Sequence, residues 1–413
     1  MARRWGELWR HADFMRLWSA QAVSSFGARI AREGVPMMAV AALHAGPVAL
    51  GVVAALRLAP AVLVGLVGGP VVDRLPHRPV LIFADLARAL VLAAIPLAAL
   101  TGKVTLAEVY FAALAMGGLN VVFDMADHAY LPRLIARDLL LEGNAKLSAT
   151  DSVAETGGPA LAGILFQLLT APIAVAVTAG TYLVSALFLS TIRARPPVTP
   201  AEDEAPSLLD VTAGLRACLT HPLVRPLMLS GVMSSFFGYF FSALYIIYCV
   251  NVAHLDLAML GFTIAAGGVG GLVGAGAVQA LTRRLGVGRA IVLTGLAGGV
   301  STFLVPLAGG APLLAMAVLV LAQLFGDAFA TVSDIGSNAL RQSVLGPAVL
   351  GRARGAFAAA GGLAGVLGAL VGGFLGQALG ARETLFIAAA GVAAAPLIGL
   401  FSPLWRATDT VAA

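Results

Sequence analysis

The sequence predicts an all-α integral membrane protein, with twelve transmembrane helices arranged as two six-helix, pseudo-symmetric halves. Three observations carry this. Of 413 residues, 59% are hydrophobic and only 11% charged, with a mean hydropathy of +0.93, far from the composition of a soluble domain. Apolar runs of about 20 residues recur along the chain, each broken by a short polar stretch, and a helix of that length crosses the hydrocarbon core of a bilayer. A charged, proline-bearing break near the middle divides these runs six and six, and a faint internal repeat returns after about half the chain.

Residues 1–16 are a basic, aromatic lead-in with Trp5, Trp9 and Trp18 at interfacial positions, expected on the cytoplasmic surface. They do not form a cleavable signal, because the first apolar run is too long for a signal h-region. The first half, 17–192, holds α1 (17–43), α2 (50–72), α3 (80–100), α4 (106–131), α5 (147–169) and α6 (173–192). Residues 193–221 break the rhythm with Arg195, Pro196 and Pro197 and then Glu202, Asp203 and Glu204. That segment reads as a cytoplasmic linker, with a short surface helix α7 over 208–219. The second half, 222–404, holds α8 (222–250), α9 (257–281), α10 (290–307), α11 (312–339), α12 (355–379) and α13 (384–404), before a tail over 405–413.

Orientation follows from the bases. With the N-terminus inside, the cytoplasmic segments collect Arg3, Arg4, Arg10, Arg133, Arg137, Lys146, Arg283, Arg284, Arg289 and others, whereas the outer loops hold little beyond Lys103 and Arg382. This asymmetry puts both termini in the cytoplasm of a cell whose plasma (inner) membrane the chain crosses. The formal charge of +5 therefore belongs to loops that meet anionic lipid headgroups, not to a nucleic-acid surface. The two cysteines, Cys218 and Cys249, fall on opposite sides of the membrane, so neither a disulfide nor a metal framework is implied.

Within the repeat, Gly158, Gly163 and Gln167 of α5 align with Gly368, Gly373 and Gln377 of α12. Between α2 and α3, Gly69, Asp73, Arg74 and Arg78 make a charged turn. Gly69 lets a neighbouring helix approach, Asp73 can face the next helix N-terminus, and the arginines suit the headgroup layer. An ordinary positive-inside loop would read the same way. This order of residues resembles the signature loop of the major facilitator superfamily, with Pro76 where the family usually has glycine and His77 where it usually has a base. The resemblance implies that Gly69, Asp73, Arg74 and Arg78 form a conformational-switch loop. Gly158, Pro159 and Gly163 resemble that superfamily's antiporter motif, with Ala162 replacing one glycine. Asp85 with Arg88, and Arg341 with Pro347 and Arg352, resemble its drug-, macrolide- and siderophore-exporting branch.

An ionisable side chain away from an interface costs roughly 2.5–3.5 kcal/mol even on a lenient insertion scale, so each one requires a reason. In α1, Arg29 and Glu33 are one turn apart and can pair, with Arg32 beside both. In α4, Asp124, Asp127 and His128 share a helical spacing. Counted at 1.5 Å per residue, Arg29 and Asp124 lie at depths that let their side chains nearly meet. The resemblance implies that both helices line a central cavity. A carboxylate that gains and loses an arginine neighbour can carry a proton, which makes Asp124 and Asp127, then Glu33 and His128, candidates for proton coupling. A static salt-bridge cluster that fixes packing accounts for the same residues. Arg29, Arg32 and Asp327 are candidates for the substrate cavity, Asp327 as a contact for a cationic group.

Asp151 and Glu155 are candidates for an inner gate closing on Arg133 or Arg137, or are solvated helix-start acids. Arg57 and Asp334 fit snorkelling. The aromatic run from Phe236 to Tyr248 fits packing or lipid contact better than a ligand wall. Acids slightly outnumber bases within the spans, which leans toward a cationic or zwitterionic substrate. No phosphate-binding lysine follows the glycine-rich stretches, and no metal or nucleophile cluster supports an enzyme. The expectation is a monomeric, cofactor-free secondary transporter, proton-coupled, that exports a small amphipathic compound through a lipid membrane. Open alternatives are a proton-coupled importer and a non-transporting sensor or assembly partner on the same fold.

Overall fold

The computed structural model describes residues 6–67, 75–100, 102, 104–194 and 208–407. After a 3-10 turn, Glu7–Arg10, the first half comprises α1 (Ala12–Leu43), α2 (Pro47–Val67), α3 (His77–Leu100), α4 (Leu106–Leu134), α5 (Leu140–Leu168) and α6 (Ala171–Thr191). The linker helix α7 is Leu208–Thr220. The second half comprises α8 (Val224–Val252, closing on a π turn), α9 (Leu257–Leu285), α10 (Val287–Leu307), α11 (Pro312–Val344), α12 (Pro347–Leu379) and α13 (Ala381–Leu400). Among the described residues, nine helices are long and apolar enough to cross a membrane. The other three long ones are α1, α2 and α5. Of these, α1 and α5 carry the charges Arg29, Arg32, Glu33, Asp151 and Glu155, and α2 is described only to Val67.

The halves meet along two helix pairs, α2 with α12 and α5 with α9. Glycine makes both contacts possible, because backbone lies directly on backbone. Gly163 of α5 rests on the Leu257 carbonyl and Gly261 of α9, and Gly373 of α12 rests on the Pro47 carbonyl and Gly51 of α2. The repeat is visible in the same places. Gln167 Oε1 accepts from the Leu257 amide at the start of α9 (3.1 Å), while Gln377 Oε1 faces Gly46 at the start of α2.

The hydrophobic core shows where the halves part. At the membrane face opposite the chain ends, one continuous cluster joins both halves, running from Val40, Leu50 and Phe166 to Ile247, Leu260, Leu319 and Leu385. Toward the face that carries the chain ends it splits. Leu8, Phe14, Leu81, Tyr130 and Leu189 pack within the first half, and Met228, Ala353, Leu227, Leu340 and Leu404 pack within the second. The molecule is therefore shut at the far face and open between the halves at the terminal face.

Several helices start earlier than periodicity predicts. The first turns of α5 are polar and hide its start, yet Glu142 accepts from the Gly6 amide (3.0 Å) and pairs with Lys146 (3.3 Å), whose ammonium lies 3.6 Å from the Trp9 ring. Trp18 does not sit free at an interface: its indole donates to Thr150 Oγ1 (2.9 Å). Gly69, Asp73 and Arg74 lie outside the described residues. Arg78 is described and has fixed partners at the end of α6. Its guanidinium donates to the Leu189 carbonyl (2.9 Å) and to that of Ser190, satisfying the last turn of α6.

Candidate functional site

Two cavities carry charged linings, one inside the first half and one in the second half that reaches across to the first. The first, about 190 Å3, is lined from α1 to α5 by Ser24, Arg29, Arg32, Arg57, Arg88, Asn120, Asp124 and Asp151. Arg29 and Asp124 thus share one wall, as their depths along α1 and α4 and the family resemblance together imply. Asp124 makes no ion pair among the described residues, because Arg29 is held elsewhere. Its guanidinium pairs with Asp151 (3.2 Å) and Glu155 (2.5 Å) of α5. Arg32 bridges Glu155 (2.8 Å) and Glu33 (2.7 Å).

Two expected pairings are therefore corrected. Glu33 pairs with its neighbour Arg32 and not with Arg29, and Asp151 and Glu155 close on α1 and not on Arg133 or Arg137. Arg133 instead meets His77 Nδ1 (3.3 Å). The α1–α5 contact that brings these groups together depends on Gly158, which lies directly against the Arg29 side chain. The Pro159 carbonyl packs against Gly261, where it fills the space a side chain would need, so Gly158, Pro159 and Gly163 serve two packing faces of one helix.

Asp127 and His128 line neither cavity. Asp127 accepts from the Gln21 amide, and His128 Nδ1 donates to the Asp124 carbonyl one turn back (2.7 Å). At the edge of the first cavity, whose wall Arg88 reaches, lies a pair that sequence reasoning reaches only through a family resemblance. Asp85 is fully buried and bonded to Arg88 (3.1 Å), which is 2% exposed. Ser24 donates to Asp85 (3.2 Å), Arg88 donates to the Leu119 carbonyl (3.2 Å), and the Arg88 guanidinium stacks 4.2 Å from Phe123.

The second cavity, about 630 Å3, is lined mainly by α8, α10 and α11 and reaches across to Arg57. Asp327 and Asp334 both face it, beside Gln323, Tyr239 and a series of serines. Arg57 does not snorkel to an interface: it lines both cavities and donates to the Arg32 carbonyl (3.2 Å). The aromatic run of α8 is mostly packing, as expected: Phe236, Phe237 and Phe240 contact one another edge to face or tilted, and Tyr248 is buried. Tyr239 is its member in the cavity wall. The expected excess of acids is not found there. The two linings hold Arg29, Arg32, Arg57, Arg88 and Arg341 against Asp124, Asp151, Asp327 and Asp334.

Two six-helix halves, joined at one membrane face and parted at the other around charged cavities, define the scaffold of a multi-pass membrane transporter. The chain belongs to the Major Facilitator Superfamily, whose family model matches residues 17–369. It is 27% identical over 365 residues to the multidrug efflux pump Tap of Mycolicibacterium fortuitum, covering 85% of this chain and 86% of that one. Its fold matches the nucleoside transporter NupG (TM-score 0.74, 14% identity, 94% and 98% of the two chains). It also matches a bacterial homologue of the iron transporter ferroportin in its inward-facing state (TM-score 0.72, 18% identity, 95% and 98%). At these identities the structural likeness speaks for the fold alone. The family makes the protein a transporter and not an enzyme.

Proposed function

We propose that the protein is a proton-coupled antiporter that exports a small amphipathic compound by alternating access. The observation that carries this reading is the sharing of Arg29. It stands in the same cavity wall as Asp124 but is bonded to Asp151 and Glu155 across the α1–α5 contact. Two sets of carboxylates thus compete for one guanidinium. Protonation of the α5 acids releases Arg29 toward Asp124, and their deprotonation draws it back, so proton occupancy and the geometry of the cavity wall change together. Asp127, Glu33 and His128 sit within a turn of these groups and relay the proton. Asp327 receives a cationic group of the substrate.

Export is favoured over import by the likeness to an efflux pump along most of the chain. The positive-inside bias puts the terminal face in the cytoplasm, which makes this conformation inward-open, with the Gly69–Arg78 loop acting as the switch between states. The units that rock against one another are residues 17–192 and 222–404, joined by the linker over 193–221.

The test uses purified protein in liposomes with an imposed pH gradient and a panel of fluorescent amphipathic compounds. Wild type is compared with Asp124→Asn and Asp127→Asn. Gradient-driven movement that disappears in stably folded Asp124→Asn supports coupling through α4. Equal gradient-driven flux in wild type and both variants would sink it.

A further inference from the structure

We propose that the chamber is built for a zwitterion, with Arg57 of α2 binding an acidic group and Asp327 of α11 binding an ammonium group of the same small molecule. The idea rests on the transporter reading and names the chemistry of what is carried. Both residues line the 630 Å3 cavity, from opposite halves of the molecule. They carry opposite charges and do not form an ion pair with each other.

The other arginines facing the two cavities are spoken for. Arg29 and Arg32 are bonded to Asp151, Glu155 and Glu33, and Arg88 to Asp85. Arg341 meets the Asn338 side chain and lies 4.0 Å from the Phe357 ring. Among the described residues, Arg57 alone of the five has no hydrogen bond or ion pair to another side chain, and its one acceptor is the Arg32 carbonyl. Asp327 has no hydrogen-bonding or ion-pair partner among the described residues.

Arg57 is half-buried and Asp327 is exposed to the cavity, so each charge is reachable from that space, and a ligand that brings the opposite charge to it gains a charge-assisted hydrogen bond. A substrate with only a cation would satisfy Asp327 and leave Arg57 both unmatched and repelling it. One with only an anion would meet the reverse. A zwitterion answers both, so the pair selects by attraction and by repulsion together. The same cavity is lined by Tyr239, Gln323 and the hydroxyls of Ser234, Ser235 and Ser242, which offer donors and acceptors to the polar groups of such a molecule. Because the two charges belong to different halves, the ligand bridges the parts that move.

The test is equilibrium binding to purified protein in detergent, read by dansyl fluorescence with no pH gradient. Three probes share one apolar group: Nε-dansyl-lysine, its methyl ester, which is a cation only, and its Nα-acetyl derivative, which is an anion only. The zwitterion is expected to bind about tenfold tighter than either. Arg57→Gln should remove its advantage over the ester, with Arg57→Lys retaining most of it. Asp327→Asn, in the other half, should remove its advantage over the acetyl derivative. The ester binding as tightly as the zwitterion, no binding of any probe, or an equal loss of all three in the variants would each overturn the proposal. Proton-driven flux confined to cations would sink it while leaving the exporter reading intact, and zwitterion-selective binding without gradient-driven flux would do the opposite.

Discussion

Gly158 of α5 lies directly against the Cβ of Arg29 of α1, leaving no room for a methyl group between the two helices. That contact sets the distance at which Arg29 reaches Asp151 and Glu155. Gly157, one residue earlier, is different: a methyl there would meet only the Phe26 ring edge, at an ordinary 3.5 Å. Gly158→Ala should therefore push α1 and α5 apart, costing about 1–3 kcal/mol of stability as an overpacked site does. Gly157→Ala should be neutral or gain up to about 1 kcal/mol from helix propensity. Thermal unfolding of the two variants in detergent checks this, and equal midpoints would refute the contact.

At the terminal face, Asp13 ties the start of α1 to the start of the linker. It accepts from the amides of Arg193 (3.1 Å) and Ala194 (2.9 Å) and pairs with Arg16 (2.7 Å), its side chain 16% exposed. Burial works to raise its pKa, but the two amides and then Arg16 outweigh that and hold the carboxyl below its ordinary value. A depressed carboxylate contributes stability that is complete above the unfolded pKa of about 3.9 and is lost as pH falls through the lower folded value. Hydrogen exchange at Arg193 and Ala194 should thus be protected at neutral pH and lose that protection only in strong acid. Asp13→Ala should speed their exchange about tenfold at pH 7, in line with roughly 1.5 kcal/mol for hydrogen bonds to a charged acceptor. Exchange unchanged by the substitution would show that the linker is held some other way.

Sequence patterning gives away the parts of this molecule that repeat. The helix count follows from run length, and the register of Gly163 and Gln167 with Gly373 and Gln377 marks the internal repeat, whose two copies lie in the α5–α9 and α12–α2 contacts. The shared cavity wall of Arg29 and Asp124 is legible from their depths taken together with the family resemblance. Pairing is not. Glu33 sits one turn from Arg29, yet Arg29 turns to α5, because a glycine there admits its side chain and no local spacing encodes that approach. Arg57 is long enough to reach an interface, but which way a helix face turns is decided by its neighbours. The role of Arg78 is hidden similarly, since the carbonyls it satisfies lie more than a hundred residues away.

The least legible feature is the Asp85–Arg88 pair, whose spacing of three residues suits an exposed surface bridge as well as a buried one. Here both partners are buried at the edge of the first cavity, whose wall Arg88 reaches, with Ser24, the Leu119 carbonyl and the Phe123 ring around them. Removing one partner of such a pair strands the other charge away from water, at a cost of about 3–5 kcal/mol, whereas replacing both by neutral groups of similar size is often neutral or favourable. Arg88→Met should accordingly destabilise the protein severely, and Asp85→Asn should do so less, because an amide still accepts from Arg88 and Ser24. The double variant Asp85→Leu with Arg88→Met should recover most of the loss. Unfolding midpoints of the three in detergent decide it: a double variant no more stable than Arg88→Met would mean that Arg88 matters for its contacts with Leu119 and Phe123, and not as the counter-charge to Asp85.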